Sequence, residues 1–288
     1  MKYLILALFV SFNSYALPWE QYPEERTYTS SDKGYVQYGA PSLHQTSKYA
    51  LTFDDGPHPV RTPKILDTLK KYNVKATFFV ITSSINEGNF PIIKRILNEG
   101  HILASHGEYH DNSNNVSKTL WKSRVKKSFQ DLSKWYKKAG HKLDKIYYRF
   151  PYAAYAGRTD HHHMNTLKEI SRELMGDNCI QFAFWDIDSG DWIPGMTGKE
   201  VLENFKASEV GGKFTTYKTV KKNGKSTQIK VLKTITDPTR GGVILQHDIQ
   251  LSSVEGTELM LKYAQDNGLE FIRLDEVKEF EVLRDCSL

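Results

Sequence analysis

The chain has 288 residues, enough for one large α/β domain or two small ones, and 39% hydrophobic with 25% charged residues fits a folded soluble protein rather than a disordered one. A formal charge of +5, falling to +4 if Lys2 leaves with a leader, is too small for a dedicated nucleic-acid binder; an anionic polymer outside the cytoplasm is a more natural partner. With only two cysteines, Cys179 and Cys286, a cysteine-based zinc site is excluded, and any metal must rest on His and carboxylates.

Residues 1–16 read as a secretory signal: Lys2 supplies the positive start, residues 3–12 the apolar core, and Ser14-Tyr15-Ala16 a small-x-small cleavage site. The apolar run is too short to span a bilayer, and no later run reaches the roughly 20 residues required. A retained N-terminal anchor is the alternative. The mature chain is therefore expected to be exported, periplasmic or secreted. Residues 17–47, with Pro18, Pro23, Gly34, Gly39 and Pro41, read as a lead-in with one short strand at 34–38, and 48–288 as the main domain. In an oxidising compartment Cys179 and Cys286 either pair or remain two separate buried thiols; their spacing does not separate the two readings.

An apolar strand at 50–54 ends in Asp54-Asp55-Gly56-Pro57, where Gly permits a tight turn and Pro blocks further pairing. Adjacent carboxylates there repel unless a cation or a proton separates them, although a solvated Asx-type turn is the plainer reading of the stretch alone. A helix over 62–72 follows, then a β-rich run at 76–81. Asn89 caps a helix that Gly100 stops, and a strand at 101–105 leads into His106-Gly107-Glu108-Tyr109-His110. A long helix at 118–139 buries Trp121, Val125, Phe129, Leu132 and Tyr136 on one stripe. Strands at 145–149 and 181–186 flank a helix at 164–175, and His161-His162-His163 before that helix reads as a variable loop rather than a metal tract. A helix at 198–208, the strand 242–247, a helix at 254–266 and a strand at 269–273 complete the chain. Strands alternating with helices argue for βαβ units in a parallel sheet or barrel, and every polar cluster falls just after a strand, the end where such barrels assemble their sites.

Two imidazoles four residues apart, on one face if the segment starts a helix, suit Zn²⁺ together with a carboxylate. Arg149, at a strand end, can hold an acidic side chain by a bidentate bond. Residues 185–192 bring Asp186, Asp188, Asp191 and two tryptophans after a strand, an apolar surface beside acids of the kind sugar-handling sites need. His247 ends an apolar strand, and the adjacent Asp248 would help keep it protonated.

Taken together, T-F-D-D-G-P at 52–57, H-x-x-x-H at 106–110, R-x-P-Y at 149–152, D-x-x-D-W at 188–192 and L-x-H at 245–247 resemble, in order and over about 200 residues, the polysaccharide deacetylase family, the NodB-type carbohydrate esterases. The resemblance implies an irregular (β/α)7 barrel and a catalytic domain at 48–288. It implies Asp55, His106 and His110 as ligands of a divalent metal, usually zinc, with another divalent transition metal possible. Asp54 would be the general base on the attacking water, positioned by Arg149. The backbone N–H of Tyr152 would stabilise the oxyanion, His247 would be the general acid tuned by Asp188, and Trp192 with Leu245 would shape the acetyl-methyl pocket. The family usually has Ser or Thr where Gly107 stands, and loss of that brace would weaken metal binding about 10–100-fold. It usually has Gly where Ala153 stands, so the loop carrying the oxyanion donor is expected to differ slightly.

Residues 211–240 look like an insertion. Residues 214–220 and 227–235 flank Asn223-Gly224, a two-residue hairpin signal, and Lys213, Lys218, Lys221, Lys222, Lys225, Lys230 and Lys233 lie between Gly211 and Thr236 with no acid among them. Such a flap either guides an anionic polymer such as peptidoglycan or is a solvated hairpin whose lysines discourage edge pairing. The leading expectation is an exported, zinc-dependent N-deacetylase, monomeric, acting on N-acetylglucosamine-type sugars in peptidoglycan or a chitin-like polymer. An O-acetyl esterase on a polysaccharide such as xylan could use the same groups, since an alkoxide leaves more easily than an amide nitrogen. A catalytically silent carbohydrate-binding protein is the third reading, and the intact set Asp54, Asp55, His106, His110 and His247 counts against it.

Overall fold

The computed structural model describes residues 39–155, 162–222, 225–281 and 286–288; the expected signal at 1–16 and strand at 34–38 lie outside them. Among the described residues, ten strands and six α-helices follow in the order β1 (Lys48–Asp54), α1 (Arg61–Lys71), β2 (Thr77–Val80), α2 (Phe90–Asn98), β3 (Ile102–Ser105), α3 (Lys118–Ala139), β4 (Tyr147–Tyr148), α4 (His163–Met175), β5 (Gln181–Phe182), β6 (Ile187–Asp188), α5 (Gly198–Val210), β7 (Gly212–Lys222), β8 (Lys225–Ile235), β9 (Gly242–His247), α6 (Leu251–Asn267) and β10 (Glu270–Ile272). No helix among the described residues is long and apolar enough to cross a membrane.

All pairings in the main sheet are parallel, in the order β5-β4-β3-β2-β1-β9-β6, with β10 added beside the start of β1. That order is chain order wrapped around a ring, with β7 and β8 set apart as a hairpin. The curled sheet carries helices on its outside, the irregular α/β barrel that the resemblance implies, within the parallel sheet or barrel that the alternation of elements predicts. The strand expected at 181–186 is cut short to β5, and β6 follows at 187–188, outside the expected span; no helix separates them, so these two neighbours in the ring are joined directly and show no pairing. Asp186 opens the second of them. Its carboxylate accepts hydrogen bonds from Val243 N at 2.8 Å and Ala40 N at 3.1 Å and lies 3.0 Å from His44 Nε2, while its own N–H donates to the Val243 carbonyl at 3.0 Å, so the residue leads into the β6–β9 pairing and ties segment 40–44 to the foot of the barrel.

Side-chain alternation along the strands separates an outer core from an inner one. Tyr49, Leu51 and Phe53 of β1, with Phe78, Leu103 and Ile244, pack outward under the helices. Ala50, Phe79, Ile102, Ala104, Tyr147 and Val243 point into the lumen, whose floor is closed by Ala40, Leu43, Leu274, Val277 and Phe280. The same period carries the lumen-facing set to Asp54, His106, Arg149 and His247, each an even number of residues beyond an inward one. Buried on both sides, the strands read as continuous apolar runs until that upper layer, where polarity begins.

Local signals set the helix ends. Ser117 caps α3 by accepting from Leu120 N, and Gly140 ends it at φ +84°. Thr197 and Glu200 form a reciprocal capping box on α5. The histidine tract is not a loop: His162 caps α4 through Nδ1, and His163 is its first residue, wholly buried, 4.9 Å edge-on to Trp121 and within 3.2 Å of the Ser113 carbonyl. His161 lies outside the described residues.

Cys179 and Cys286 form a disulfide that fastens the C-terminal tail beside β5, with 107 residues of sequence separation. Closing so long a loop removes much unfolded-state entropy. Cys179→Ser together with Cys286→Ser is therefore expected to lower unfolding free energy by about 2–5 kcal/mol, read as a fall in the urea midpoint with a steeper slope, because the uncrosslinked denatured chain exposes more surface.

Candidate active site

The site lies at the C-terminal ends of β1, β3, β4 and β9, above the lumen. Asp54 and His247 are register partners on adjacent strands, and Leu245, two residues before His247 on the same face, is paired with Thr52 on one side and Asp188 on the other. At the mouth, Tyr152 lies in a 3₁₀ turn after Pro151 with φ +59° and ψ 15°; its side chain is 64% exposed and its ring lies 4.4 Å from that of His110. Ala153 follows at φ +48°, a left-handed position that Gly would occupy without strain, so the expected difference in this loop resides in the backbone.

Arg149 is fully buried, and its guanidinium is shared out. Nη1 donates to Asp54 Oδ1 at 2.9 Å and Thr52 Oγ1 at 2.7 Å, while Nε and Nη2 donate to the carbonyls of Ala183 at 2.9 Å and Phe184 at 3.1 Å. The expected bidentate grip on a carboxylate is corrected to a single bond, because two β5–β6 carbonyls claim the other nitrogens. Its guanidinium carbon lies 4.1 Å from the centre of the Phe79 ring. Burial draws its pKa down from the ordinary arginine value, against the pull of Asp54. With Oδ1 committed, Asp54 turns Oδ2 toward His106 Nε2, 3.6 Å away.

Asp55 takes φ +75°, unusual for a residue other than Gly and tolerable for Asp, and this turn carries its carboxylate off the strand line toward the two imidazoles. Asp55 Oδ1 lies 3.4 Å from His106 Nε2 and 3.2 Å from His110 Nε2. It is buried and accepts no hydrogen bond. One ligand atom from each of Asp55, His106 and His110 lies within 4.8 Å of the others. Tetrahedral donors at the usual metal distances stand about 3.3 Å apart. His106 Nδ1 donates to the Arg149 carbonyl at 2.9 Å, which leaves the Nε2 lone pair facing Asp55, and burial lowers its pKa, favouring the neutral imidazole that a metal needs. An orphaned carboxylate oxygen and two imidazole nitrogens converging on one point fit a divalent cation.

His106 and His110 do not share a helix face. Residues 106–110 form a loop, and Gly107 at φ +93° folds it back so that the two rings approach to 5.4 Å. A Cβ on Gly107 would lie 3.0 Å from the Tyr109 carbonyl oxygen, so glycine here serves the backbone, and Ser105 Oγ accepts from its N–H at 3.1 Å.

Around His247 the expected partner is corrected. Its Nδ1 lies 2.9 Å from Asp191 Oδ1 and its backbone N–H donates to Asp191 Oδ2 at 2.6 Å, while the Ser253 hydroxyl donates to the same carboxylate. Asp188 instead accepts from Gly190 N at 2.9 Å and from Trp192 Nε1 at 3.1 Å, steadying the indole. The reason is local: Asp188 closes an Asx turn two residues on, and Gly190 at φ +72° swings Asp191 inward. Asp-x-Gly in the sequence is the signal that would have sent the first Asp to the turn and left the second for a tertiary role. Asp248 does not face His247's Nδ1 either. It is buried under Gly56, where a Cβ would meet its Oδ2 at 2.2 Å, takes a hydrogen bond from Thr62, and is pushed by burial up to about 7.

Burial alone would lower the pKa of His247, but the Asp191 carboxylate more than reverses this, raising it to about 10, with Asp54 and Asp55 adding to the rise. The imidazole is thus a protonated donor at neutral pH. Because the folded value exceeds the ordinary 6.5, its contribution to stability is complete below about pH 6.5 and is lost as pH climbs toward 10.

A family model described as polysaccharide deacetylase matches residues 44–168, the stretch that holds Asp54, Asp55, His106, His110, Arg149 and Tyr152. The peptidoglycan-N-acetylglucosamine deacetylase PgdA of Listeria monocytogenes serotype 1/2a (strain 10403S) is 30% identical over 242 residues, covering 82% of this chain and 40% of the relative. The peptidoglycan-N-acetylmuramic acid deacetylase PdaC of Bacillus subtilis (strain 168) is 27% identical over 238 residues, covering 83% of this chain and 40% of the relative. The chain therefore spans about two fifths of the length of these curated relatives. Among solved structures, the peptidoglycan N-acetylglucosamine deacetylase Bc1960 superposes with a TM-score of 0.60 at 25% identity, over 85% of this chain and 94% of that one. With the barrel and the lumen-mouth cluster, these matches lead to one conclusion: the chain belongs to the polysaccharide deacetylase family.

Proposed function

We propose that this protein hydrolyses acetyl groups from N-acetylglucosamine-type sugars of peptidoglycan, outside the cytoplasm, through the cluster at the barrel mouth. The observation that carries the reading is the convergence of Asp55, His106 and His110 beside a buried, arginine-held Asp54, with a protonated His247 on the neighbouring strand. The names of the relatives support the substrate class, and the Cys179–Cys286 disulfide supports an oxidising compartment. Residues 1–16 then serve as the export signal, 17–47 as a lead-in and 48–288 as the catalytic domain.

Asp55, His106 and His110 would hold the divalent cation, and two imidazoles with one carboxylate favour zinc. When bound, such an ion acidifies water toward a pKa of about 7 and polarises the acetyl carbonyl. Asp54, oriented by Arg149 through Oδ1, takes the proton of the attacking water through Oδ2. The backbone N–H of Tyr152 donates to the carbonyl oxygen as it becomes anionic. His247, held by Asp191, gives its proton to the leaving amine, without which amide cleavage stalls. Trp192, steadied by Asp188, and Leu245 bound the space for the acetyl methyl.

Acetate release from peptidoglycan, chitooligosaccharides and acetylxylan tests the reading. Asp54→Ala and His247→Ala are each expected to lower it by about 10²–10⁴-fold. Release untouched by both substitutions would sink the mechanism, and preferential release from acetylxylan would move the activity to an O-acetyl esterase.

A further inference from the structure

The hairpin β7–β8 is built onto the loop that carries Asp188, Asp191 and Trp192. Asn204 of α5 joins them: its Nδ2 donates to the Ser189 carbonyl at 2.9 Å and the Thr215 carbonyl at 2.8 Å, and its Oδ1 accepts from Thr215 N at 2.7 Å. Tyr217 packs edge-on against Trp192 at 4.8 Å. Its register partner Lys230 donates to the Gly195 carbonyl at 2.8 Å and pairs with Glu200 at 2.7 Å. The base of the hairpin is therefore a continuation of the pocket wall. Beyond it the ribbon is solvated on both faces.

That outer part is strongly one-signed. No acid lies between Gly211 and Thr236. Lys213, Lys218, Lys221 and Lys233 are exposed, and among the described residues none of them forms an ion pair. Lone two-stranded hairpins are marginal in water, and like charges along one add self-repulsion that an anionic ligand would relieve. The most exposed apolar side chains of the hairpin, Leu232 and Ile229, are paired with Thr215 and Lys218 and so lie on opposite faces. Without one continuous apolar face, the ribbon is poorly made for lying in a lipid interface.

The geometry points to the hairpin as an accessory arm that binds a carboxylate-bearing glycan strand beside the pocket mouth, with Lys221 on the face that Tyr217 occupies and Lys218 and Lys233 on the other. The inference rests on the deacetylase reading of the pocket and adds to it a preference for polyanionic over neutral polymer. Specificity then arises from attraction outside the pocket and shows in KM rather than kcat.

The test compares the metal-loaded full chain with Lys218→Glu/Lys221→Glu/Lys233→Glu, and with the milder Gln triple. Substrates are peptidoglycan, the same material with its carboxylates amidated, and a neutral chitooligosaccharide. The Glu triple is expected to lose about tenfold in kcat/KM on native peptidoglycan, the effect of three exposed ion pairs, through KM. It should match the wild type on the amidated and neutral substrates, which also certifies its folding. Added salt should erase the wild-type advantage. Equal losses on all three substrates, or none on any, would overturn the arm. Co-sedimentation with peptidoglycan sacculi and with vesicles containing phosphatidylglycerol reads binding separately from catalysis. If no substrate releases acetate, the deacetylase reading fails, yet charge-dependent binding to sacculi would still uphold the arm. Binding to vesicles but not to sacculi would assign the lysines to lipid and overturn it.

Discussion

Asp191→Asn is expected to cut kcat by about 10²–10⁴-fold, whereas Asp188→Asn should leave kcat within about tenfold of the wild type and act mainly on KM, the cost of one hydrogen bond to the Trp192 indole. The contrast follows from who touches what. Asp191 is buried and holds both the ring and the backbone of His247, whereas Asp188 serves the Gly190 turn and Trp192. Replacing the carboxylate by an amide removes the charge that opposes desolvation, so the pKa of His247 must fall from about 10, and burial then drives it toward the neutral form. In kcat against pH, the alkaline limb of Asp191→Asn should therefore move to lower pH, while that of Asp188→Asn stays in place. A bound dication nearby moves the limb the same way in the wild type, so the comparison belongs at saturating metal. An unmoved limb in Asp191→Asn, or a collapse of kcat in Asp188→Asn, would return the tuning role to Asp188.

Removal of divalent metal should cost stability as well as activity. A ligand that binds only the folded state at about 100 times its Kd adds about 2.7 kcal/mol, so zinc at that excess is expected to raise the thermal midpoint and a chelator to reverse it. His106→Ala and Asp55→Asn should abolish the shift. Asn is the informative replacement at 55 because, like Asp, it tolerates φ +75°, so the substitution tests the missing charge rather than the backbone. Titration calorimetry reads the same loss without reference to turnover. Undiminished zinc affinity in both variants would show that these side chains do not hold the ion. Arg149→Met, by contrast, should leave the ion bound but destabilise the fold, since it strands a buried Asp54 and frees two carbonyls.

Much of the site was legible because its residues sit at strand ends. An apolar run closed by Asp-Asp-Gly-Pro, and another closed by His247, announce where a parallel strand stops and a loop begins. The period of two then carries Ala50 to Asp54, Ile102 to His106 and Val243 to His247 into the same lumen. The elements least well placed were those that break this regularity: the strand predicted at 181–186 ends at 182, and a separate strand begins at 187 beside Asp186, whose partners Ala40 and Val243 are distant in sequence. The histidine tract misled because a buried imidazole packed on Trp121 and another capping α4 have the same letters as a solvated loop.

Strand ends, the hairpin and the five ordered motifs were in hand from the sequence alone, since each depends on residues within a few positions of one another, whereas the cap expected from Asn89 makes no side-chain bond to its helix. Only the tertiary structure decided which carboxylate holds His247, how Arg149 divides its donors, that Cys179 and Cys286 pair, and that the lysine hairpin is anchored to the pocket wall. Those choices turn on left-handed turns at Asp55, Gly107 and Gly190 and on partners from other strands, and a side chain's direction after such a turn is set by the packing around it.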